Sequence, residues 1–559
     1  MEAPRQSDLK IELIKRLKPQ VVVTGIAHFE AVTSSAFVQL LDATGEIGSR
    51  LFLDISDHFE LCSLPGIIGV LKYLSGTPLP SHAAIVCGLV KNQVYSDLEV
   101  AFVISEEEAI LKALSKTVEI LEGNTSLISQ YYYGCIFHEL LSFQLTDRHP
   151  HLERRSEKSK SVEVIGFATS AISVLSNAEL SISDDGYPLV RMDVDQWFLP
   201  FVQTEYGFPT DSGTEFIFSD CSQALFSKLV LCCIQEGGTM CFPAGSNGNY
   251  VSVAKFLKAN TVHIPTNSER GFKLTEDILI KVLETMKKPW VYISGPTINP
   301  TGLLYSNQEM ENILSACARF GARVVIDTSF SGLEFEYEGW GGWNLGSCLS
   351  KISSSGNLSF CVSLLGGLSL KLLSGALKFA FLALNEPILI EAFHSFPGLS
   401  KPHCTDKYTI KKLLSLREQK GGLLDVAMEQ IRILENRVKC LKEVTFSPLH
   451  PEVLENCGWD VLRPCAGVSM VAKPSFLGKA VKVNHPLKHT GSGEQDATYE
   501  IKLTDASLRE AVAKTTGLCI NSGSWTGIPG YCRFTIALEE SELEQALACL
   551  VKFKSIVDN

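Results

Sequence analysis

Short apolar runs alternate with amphipathic stretches along this chain, the pattern of buried strands and half-buried helices. Val291, Tyr292 and Ile293 form one such run, closed by Gly295 and Pro296. They predict a buried parallel strand opening into a loop at its carboxyl end. Ser306 with Glu309 three residues on reads as a capping box, and Met310, Ile313, Leu314, Cys317 and Phe320 follow at helical spacing. A helix to about Phe320 is therefore expected, and Val324-Val325-Ile326 opens the next strand with Asp327 at its tip. The most apolar window, Phe360 to Leu384, is broken by Lys371, Lys378 and three glycines and predicts a buried strand pair. Tyr408 to Leu441 reads as helix with a break at Gly421-Gly422. Trp459 to Lys473, Tyr499 to Leu503 and Cys532 to Leu538 read as strands of a small C-terminal domain, closed by a helix from Ser541 to Val557.

The pattern repeats. Lys18-Pro19-Gln20-Val21-Val22-Val23-Thr24-Gly25 echoes Lys288 to Gly295, and Gly48 to Ser56 echoes Gly321 to Ser329. Gly88 to Lys91 and Leu98 to Phe102 echo Gly367 to Leu370 and Leu377 to Phe381. A fixed internal echo marks a repeated supersecondary unit. The expected divisions are a partial first copy at 1–146, a charged connecting segment at 147–190, a large domain at 191–440 and the small domain at 441–559.

Composition narrows the function. At 559 residues the chain holds several cores. A net charge of −12 with 20% charged residues gives it no electrostatic reason to bind nucleic acid. The 17 cysteines show no metal-type spacing, and Cys221, Cys232, Cys233, Cys317 and Cys361 sit in apolar runs, so reduced core thiols are expected. His149-Pro150-His151 opens a charged stretch and reads as linker, leaving no metal site. The N-terminus lacks the apolar core of a signal peptide and no window reads as a membrane span, so a cytoplasmic protein is expected.

The candidate chemistry centres on Ser294-Gly295-Pro296-Thr297-Ile298-Asn299-Pro300-Thr301-Gly302 and Asp327. A carboxylate at a strand tip can pair with a protonated ring nitrogen and keep a cofactor cationic, although a lone Asp more often caps a helix. This stretch, with Gly517 to Phe534, resembles the aminotransferases of the fold-type-I pyridoxal phosphate superfamily. The resemblance implies an α/β fold. Its large domain would be aminotransferase-like with a mainly parallel sheet flanked by helices, followed by a small C-terminal α+β domain and preceded by a partial second copy of the large domain. It implies pyridoxal phosphate as cofactor, Asn299 on the ring hydroxyl, Asp327 on the ring nitrogen, Ser222 at the phosphate turn, and Arg533 gripping a substrate carboxylate.

The departures matter as much. Phe330 stands where the family has a tyrosine on the cofactor hydroxyl, and Asp220 lies in the phosphate turn, where two anions repel. If Lys378 fills the family's phosphate-binding arginine position, the Schiff-base position falls on Leu370 and Lys371 is one residue out of register. On a strand that slip turns a side chain to the other face; a local bulge would turn it back. A misaligned Lys371 predicts that Lys371→Ala leaves fold stability nearly unchanged. In the first copy Lys91 meets the Schiff-base position, but Glu99 stands where a phosphate needs a cation.

Tandem units of this kind, with Trp340 to Asn344 and Phe396 to His403, resemble the C-terminal half of the plant methionine S-methyltransferases. In that family an N-terminal domain binds S-adenosylmethionine and makes S-methylmethionine from methionine. No Gly-x-Gly-x-Gly loop after a strand occurs here, so that domain is expected to be absent. Met192 to Pro200 runs within a few residues into Tyr206 to Thr210, where an aminotransferase would place a helix, so the chain reads as shortened by truncation or alternative splicing. Because its cofactor groups are individually eroded, the region is expected to be non-catalytic and to shape, regulate or oligomerise a methionine S-methyltransferase, as a homo-oligomer with a small amino-acid ligand. An active pyridoxal phosphate transferase or lyase, and methyl transfer by the chain itself, remain alternatives.

Overall fold

The structure, a computed structural model, describes residues 6–25, 34–54, 77–89, 100–121, 195–209, 213–335, 344–354, 361–368, 371, 379–396, 428–435, 457–484, 498–523, 527–538 and 540–558. Lys91, Glu99, segment 147–190, Leu370, Lys378, 340–343, 397–403 and most of 408–441 lie outside them. The chain divides into two compact units, Met1–Pro150 and His151–Asn559.

The first unit runs α1 (Gln6–Leu17), β1 (Val21–Gly25), α2 (Ser34–Glu46), β2 (Arg50–Asp54), β3 (Ala83–Leu89), β4 (Val100–Ile104) and α3 (Glu108–Leu121). Its sheet has the order β1-β2-β3-β4, with β1, β2 and β3 parallel and β4 antiparallel. Helix α2 buries Phe37, Leu40, Leu41 and Thr44, the i, i+3, i+4, i+7 stripe of a core-facing helix. Gly48, at φ +70°, ends the turn that follows, a backbone conformation that costs a non-glycine residue.

The second unit opens with α4 (Asp195–Tyr206), β5 (Glu215–Ser219), α5 (Ser222–Glu236), β6 (Thr239–Pro243), α6 (Gly248–Phe256), β7 (Thr261–Ile264) and α7 (Glu276–Leu283). It continues through β8 (Pro289–Ser294), α8 (Asn307–Arg319), β9 (Arg323–Asp327), α9 (Leu345–Ser354), β10 (Cys361–Gly367), β11 (Ala380–Leu384) and α10 (Pro387–Ser395). The sheet order is β5-β11-β10-β9-β8-β6-β7, and β11 runs against its neighbours while the rest are parallel. Every residue of β8 is buried, as expected for a parallel strand covered on both faces. The capping box at Ser306 and Glu309 forms, and α8 ends at Arg319 with Phe320 as its C-cap. Helix α4 occupies 195–206, with Pro200 inside it, where the sequence reads as shortened.

The small domain adds β12 (Trp459–Leu462), β13 (Ser469–Pro474), β14 (Ala480–Asn484), β15 (Thr498–Lys502), α11 (Asp505–Thr516), β16 (Asn521–Ser522), β17 (Cys532–Thr535) and α12 (Glu540–Asp558). The expected strand Trp459 to Lys473 is two antiparallel strands, because Pro464 and Gly467, at φ +79°, turn the chain between them. The hairpin β14-β15 has no counterpart in the sequence reading at 480–484.

Two faces of the seven-stranded sheet matter for the site. Side chains alternate along a strand, and neighbours in register share a face. Val291, Ile293, Val324, Ile326, Leu364 and Phe381 form one face, packed in one core with α8 and with Phe198 of α4, whose ring lies 5.0 Å from Phe381. Trp290, Tyr292, Val325 and Asp327 lie on the other, where Phe226 of α5 and Tyr250 of α6 pack against Tyr292.

Candidate functional site

The loop after β8 is held by its own side chains and by the small domain. Ser294 Oγ donates to Thr297 O at 3.1 Å and accepts from Asn299 N at 3.2 Å. Gly302 N donates to Ile298 O at 2.8 Å. Gly302 sits at φ +68°, and a Cβ there would lie 2.7 Å from Ala466 O, so both conformation and space demand glycine. Its carbonyl accepts from Cys465 N and Ala466 N at 2.7 and 2.8 Å.

This clamp brings β17 over the loop. Arg533 Nη1 donates to Asn299 Oδ1 at 3.3 Å, joining residues 234 positions apart, and both side chains are buried. Burial pulls the Arg533 guanidinium down to about 10, still cationic near neutrality. Asn299 Nδ2 is a buried donor with no partner among the described residues. An unsatisfied buried donor costs about 1–3 kcal/mol, and a guanidinium beside it suits an anionic acceptor.

Asp327 is fully buried, and burial raises its pKa. Tyr292 Oη donates to its Oδ2 at 2.6 Å and Ser329 N to its Oδ1 at 3.0 Å. The Tyr292 ring lies 5.4 Å from Tyr250, whose hydroxyl donates to Ser222 Oγ at 2.7 Å. Burial pushes both phenols well above their ordinary range, so they are neutral donors. Ser222 starts α5, capped by Cys221 Sγ, while Asp220 accepts from Ser219 Oγ at 3.2 Å. Phe330 packs half-buried against the core.

Lys371 goes elsewhere. Its Nζ pairs with Glu205 Oε2 at 2.5 Å and lies 4.8 Å from the centre of the Tyr206 ring, both on α4. That helix packs on the face opposite to the one bearing Asp327. Burial opposes the charge, but Tyr206, Glu205 and Glu334 outweigh it and the lysine pKa is raised. The amine is thus a held ammonium, where a Schiff-base nucleophile must be deprotonated. The expectation that Lys371→Ala is nearly neutral is corrected here: the side chain is 7% exposed and ion-paired. Gly332, at φ +113°, admits the Lys371 backbone, which a Cβ would meet at 3.0 Å.

The structure therefore joins Asn299 with Arg533, and Asp327 with Tyr292. Ser222 belongs to Tyr250, Lys371 to Glu205, and Lys378 lies outside the described residues. Tyr292, Tyr250 and Glu205 are not among the candidate site residues read from the sequence. For Tyr292 a signal was available, since a phenol inside an apolar run needs a partner when buried.

Residues 176–550 match the aminotransferase class I and II family. The chain belongs to that family. It is 57% identical over 593 aligned positions to methionine S-methyltransferase of Arabidopsis thaliana and 56% identical to that of Wollastonia biflora, each alignment covering 100% of this chain and 53% of the relative. The chain thus spans about half the length of the curated relatives it matches. An aromatic aminotransferase structure from Pyrococcus horikoshii superposes with a TM-score of 0.53 at 17% identity, covering 70% of this chain and 94% of that one, which shows the fold. Among the described residues no group of three or more His, Cys, Asp and Glu could hold a metal, and no helix is long and apolar enough to cross a membrane.

Aminotransferases of this family typically use pyridoxal phosphate. The described residues of this member do not fit it. The carboxyl for the ring nitrogen is bonded to Tyr292, the phosphate-turn serine to Tyr250, and the nearest-register lysine to Glu205.

Proposed function

We propose that this chain is the aminotransferase-like region of a methionine S-methyltransferase, an enzyme making S-methylmethionine from methionine and S-adenosylmethionine, and that the region itself performs no pyridoxal chemistry. The relatives' names and identities support the assignment. The observation that carries the non-catalytic reading is the placement of Lys371 on Glu205, across the sheet from Asp327. Methyl-donor binding then belongs to the part of the relatives that this chain does not match. The region works in the cytoplasm as a homo-oligomer.

What the family site retains is the Arg533–Asn299 pair, which suits an amino-acid carboxylate. Methionine or S-methylmethionine is the ligand of this reading. Two measurements test it. Mixing the chain with pyridoxal phosphate is expected to give no lysine-bound absorption band, and borohydride to fix no pyridoxyl group; a stable adduct on Lys371 by peptide mapping overturns the non-catalytic reading. Calorimetric titration with either amino acid is expected to give heat that Arg533→Ala abolishes. Equal heats for both proteins, or none, leave the pair a structural one. An active pyridoxal phosphate transferase or lyase is the second reading, favoured by the presence of Asn299, Asp327 and Arg533 together.

A further inference from the structure

Strands β2, β3 and β4 of the first unit share their registers with β9, β10 and β11 of the second, while β1 is set one residue along β2 relative to β8 on β9. Leu51 faces Ala83 and Asp54 faces Val86 across β2 and β3, as Val324 faces Val362 and Asp327 faces Leu365 across β9 and β10. Gly88 faces Ala101 across β3 and β4, as Gly367 faces Ala380 across β10 and β11. Helix α2 buries Phe37, Leu40, Leu41 and Thr44 and closes with Ser49 N on Thr44 O; α8 buries Met310, Ile313, Leu314 and Cys317 and closes with Ala322 N on Cys317 O, both bonds 2.9 Å.

The surroundings differ. In the second unit β6 pairs along the outer edge of β8, and α5 and α6 cover the face carrying Trp290 and Tyr292, which are 1% and 0% exposed. In the first unit β1 ends its sheet among the described residues. Val21 and Val23, which share a face with Phe52, are 51% and 70% exposed. Exposed valines on a parallel edge strand are an invitation to strand addition. The elements that cover β8 precede it in the chain, and the relatives carry nearly as much polypeptide again as this chain matches.

We infer that the β1 edge and the Val21–Val23 face receive a helix–strand–helix module equivalent to α5-β6-α6, supplied by the part of the longer relatives that this chain does not match. The added strand runs parallel to β1, and its helices close over Val21, Val23 and Phe52. It rests on the reading of this chain as a region of a longer methyltransferase, but not on the carboxylate ligand or the pyridoxal reading, whose tests leave it untouched.

The test compares this chain alone with the same chain joined to the unmatched part of the Arabidopsis thaliana relative in that relative's own order. Amide exchange at Val21 to Gly25 is expected to slow at least tenfold in the joined protein. The double variant Val21→Asp, Val23→Asp is expected to leave the melting temperature of the chain alone unchanged and to lower that of the joined protein. Unchanged exchange, or equal effects of the double variant in both proteins, overturns the inference. So does self-association of the chain alone that the double variant abolishes, since the face then belongs to a second copy.

Discussion

Replacing Lys371 by alanine separates a buried structural cation from an idle lysine. The side chains of Lys371 and Glu205 are 7% and 17% exposed, and their charged atoms lie 2.5 Å apart. Removing one partner of a buried pair costs about 3–5 kcal/mol, because the remaining charge keeps its desolvation penalty. Residual water at Glu205 reduces this, while losing the cation over Tyr206 and the packed methylene stem adds to it, so about 3 kcal/mol is expected. That is a large part of the roughly 5–15 kcal/mol that holds a typical domain. Urea denaturation followed by fluorescence should show an earlier midpoint for Lys371→Ala. Glu205→Gln should cost a similar amount, and the double variant less than the sum, with a coupling of about 2 kcal/mol. The folded pKa of Lys371 is raised, so the stability it contributes is complete below the ordinary lysine value and is lost only as pH rises through the folded one. The loss in Lys371→Ala should therefore be flat from mildly acidic to mildly basic pH. An unchanged midpoint, or strictly additive single effects, refutes the ion-pair argument.

Tyr292→Phe removes the hydroxyl on Asp327 and should cost about 1–3 kcal/mol in thermal or urea unfolding at neutral pH. Because burial raises the Asp327 pKa, the folded state binds its proton more tightly than the unfolded state; stability from this group is present at acid pH and lost as pH rises through the folded value. Asp327→Asn should accordingly flatten that part of the pH–stability curve. Gly332→Ala places a Cβ 2.9 Å from Lys371 Cβ at a positive φ and should lower the melting temperature measurably. Burial pushes the Cys232, Cys233 and Cys241 thiols up to about 12, so mass spectrometry should find them unalkylated by iodoacetamide until the protein is denatured.

What could be read from sequence was local. The capping box at Ser306, the apolar stripe of α8 and the strand ending at Asp327 are set by neighbours within one or two turns, and the structure forms all three. The closing helix α12 was legible for the same reason. Helix α4 was obscured by Pro200 and by the short distance to Gly207, and its existence depends on burying Phe198 among the rings of β5 and β11. That Tyr292 needs a partner was legible, but not which one, because a strand buried on both faces shows no alternation that would say which side its hydroxyl meets. The Lys371–Glu205 pair spans 166 residues, and no spacing rule reaches that far.

The turn at 463–468 has a mechanical consequence. Cys465 N and Ala466 N bond Gly302 O, Phe335 N bonds Cys465 O, and Gly467 N bonds Leu333 O, so four main-chain bonds cross between the large and small domains. Such a seam resists shear, since its bonds break together and cannot be re-formed one register along without losing the fit around Gly302. Under force or heat, the small domain should come away in the same event that dismantles the 294–302 loop, leaving no stage at which an opened cleft keeps Asn299 in place.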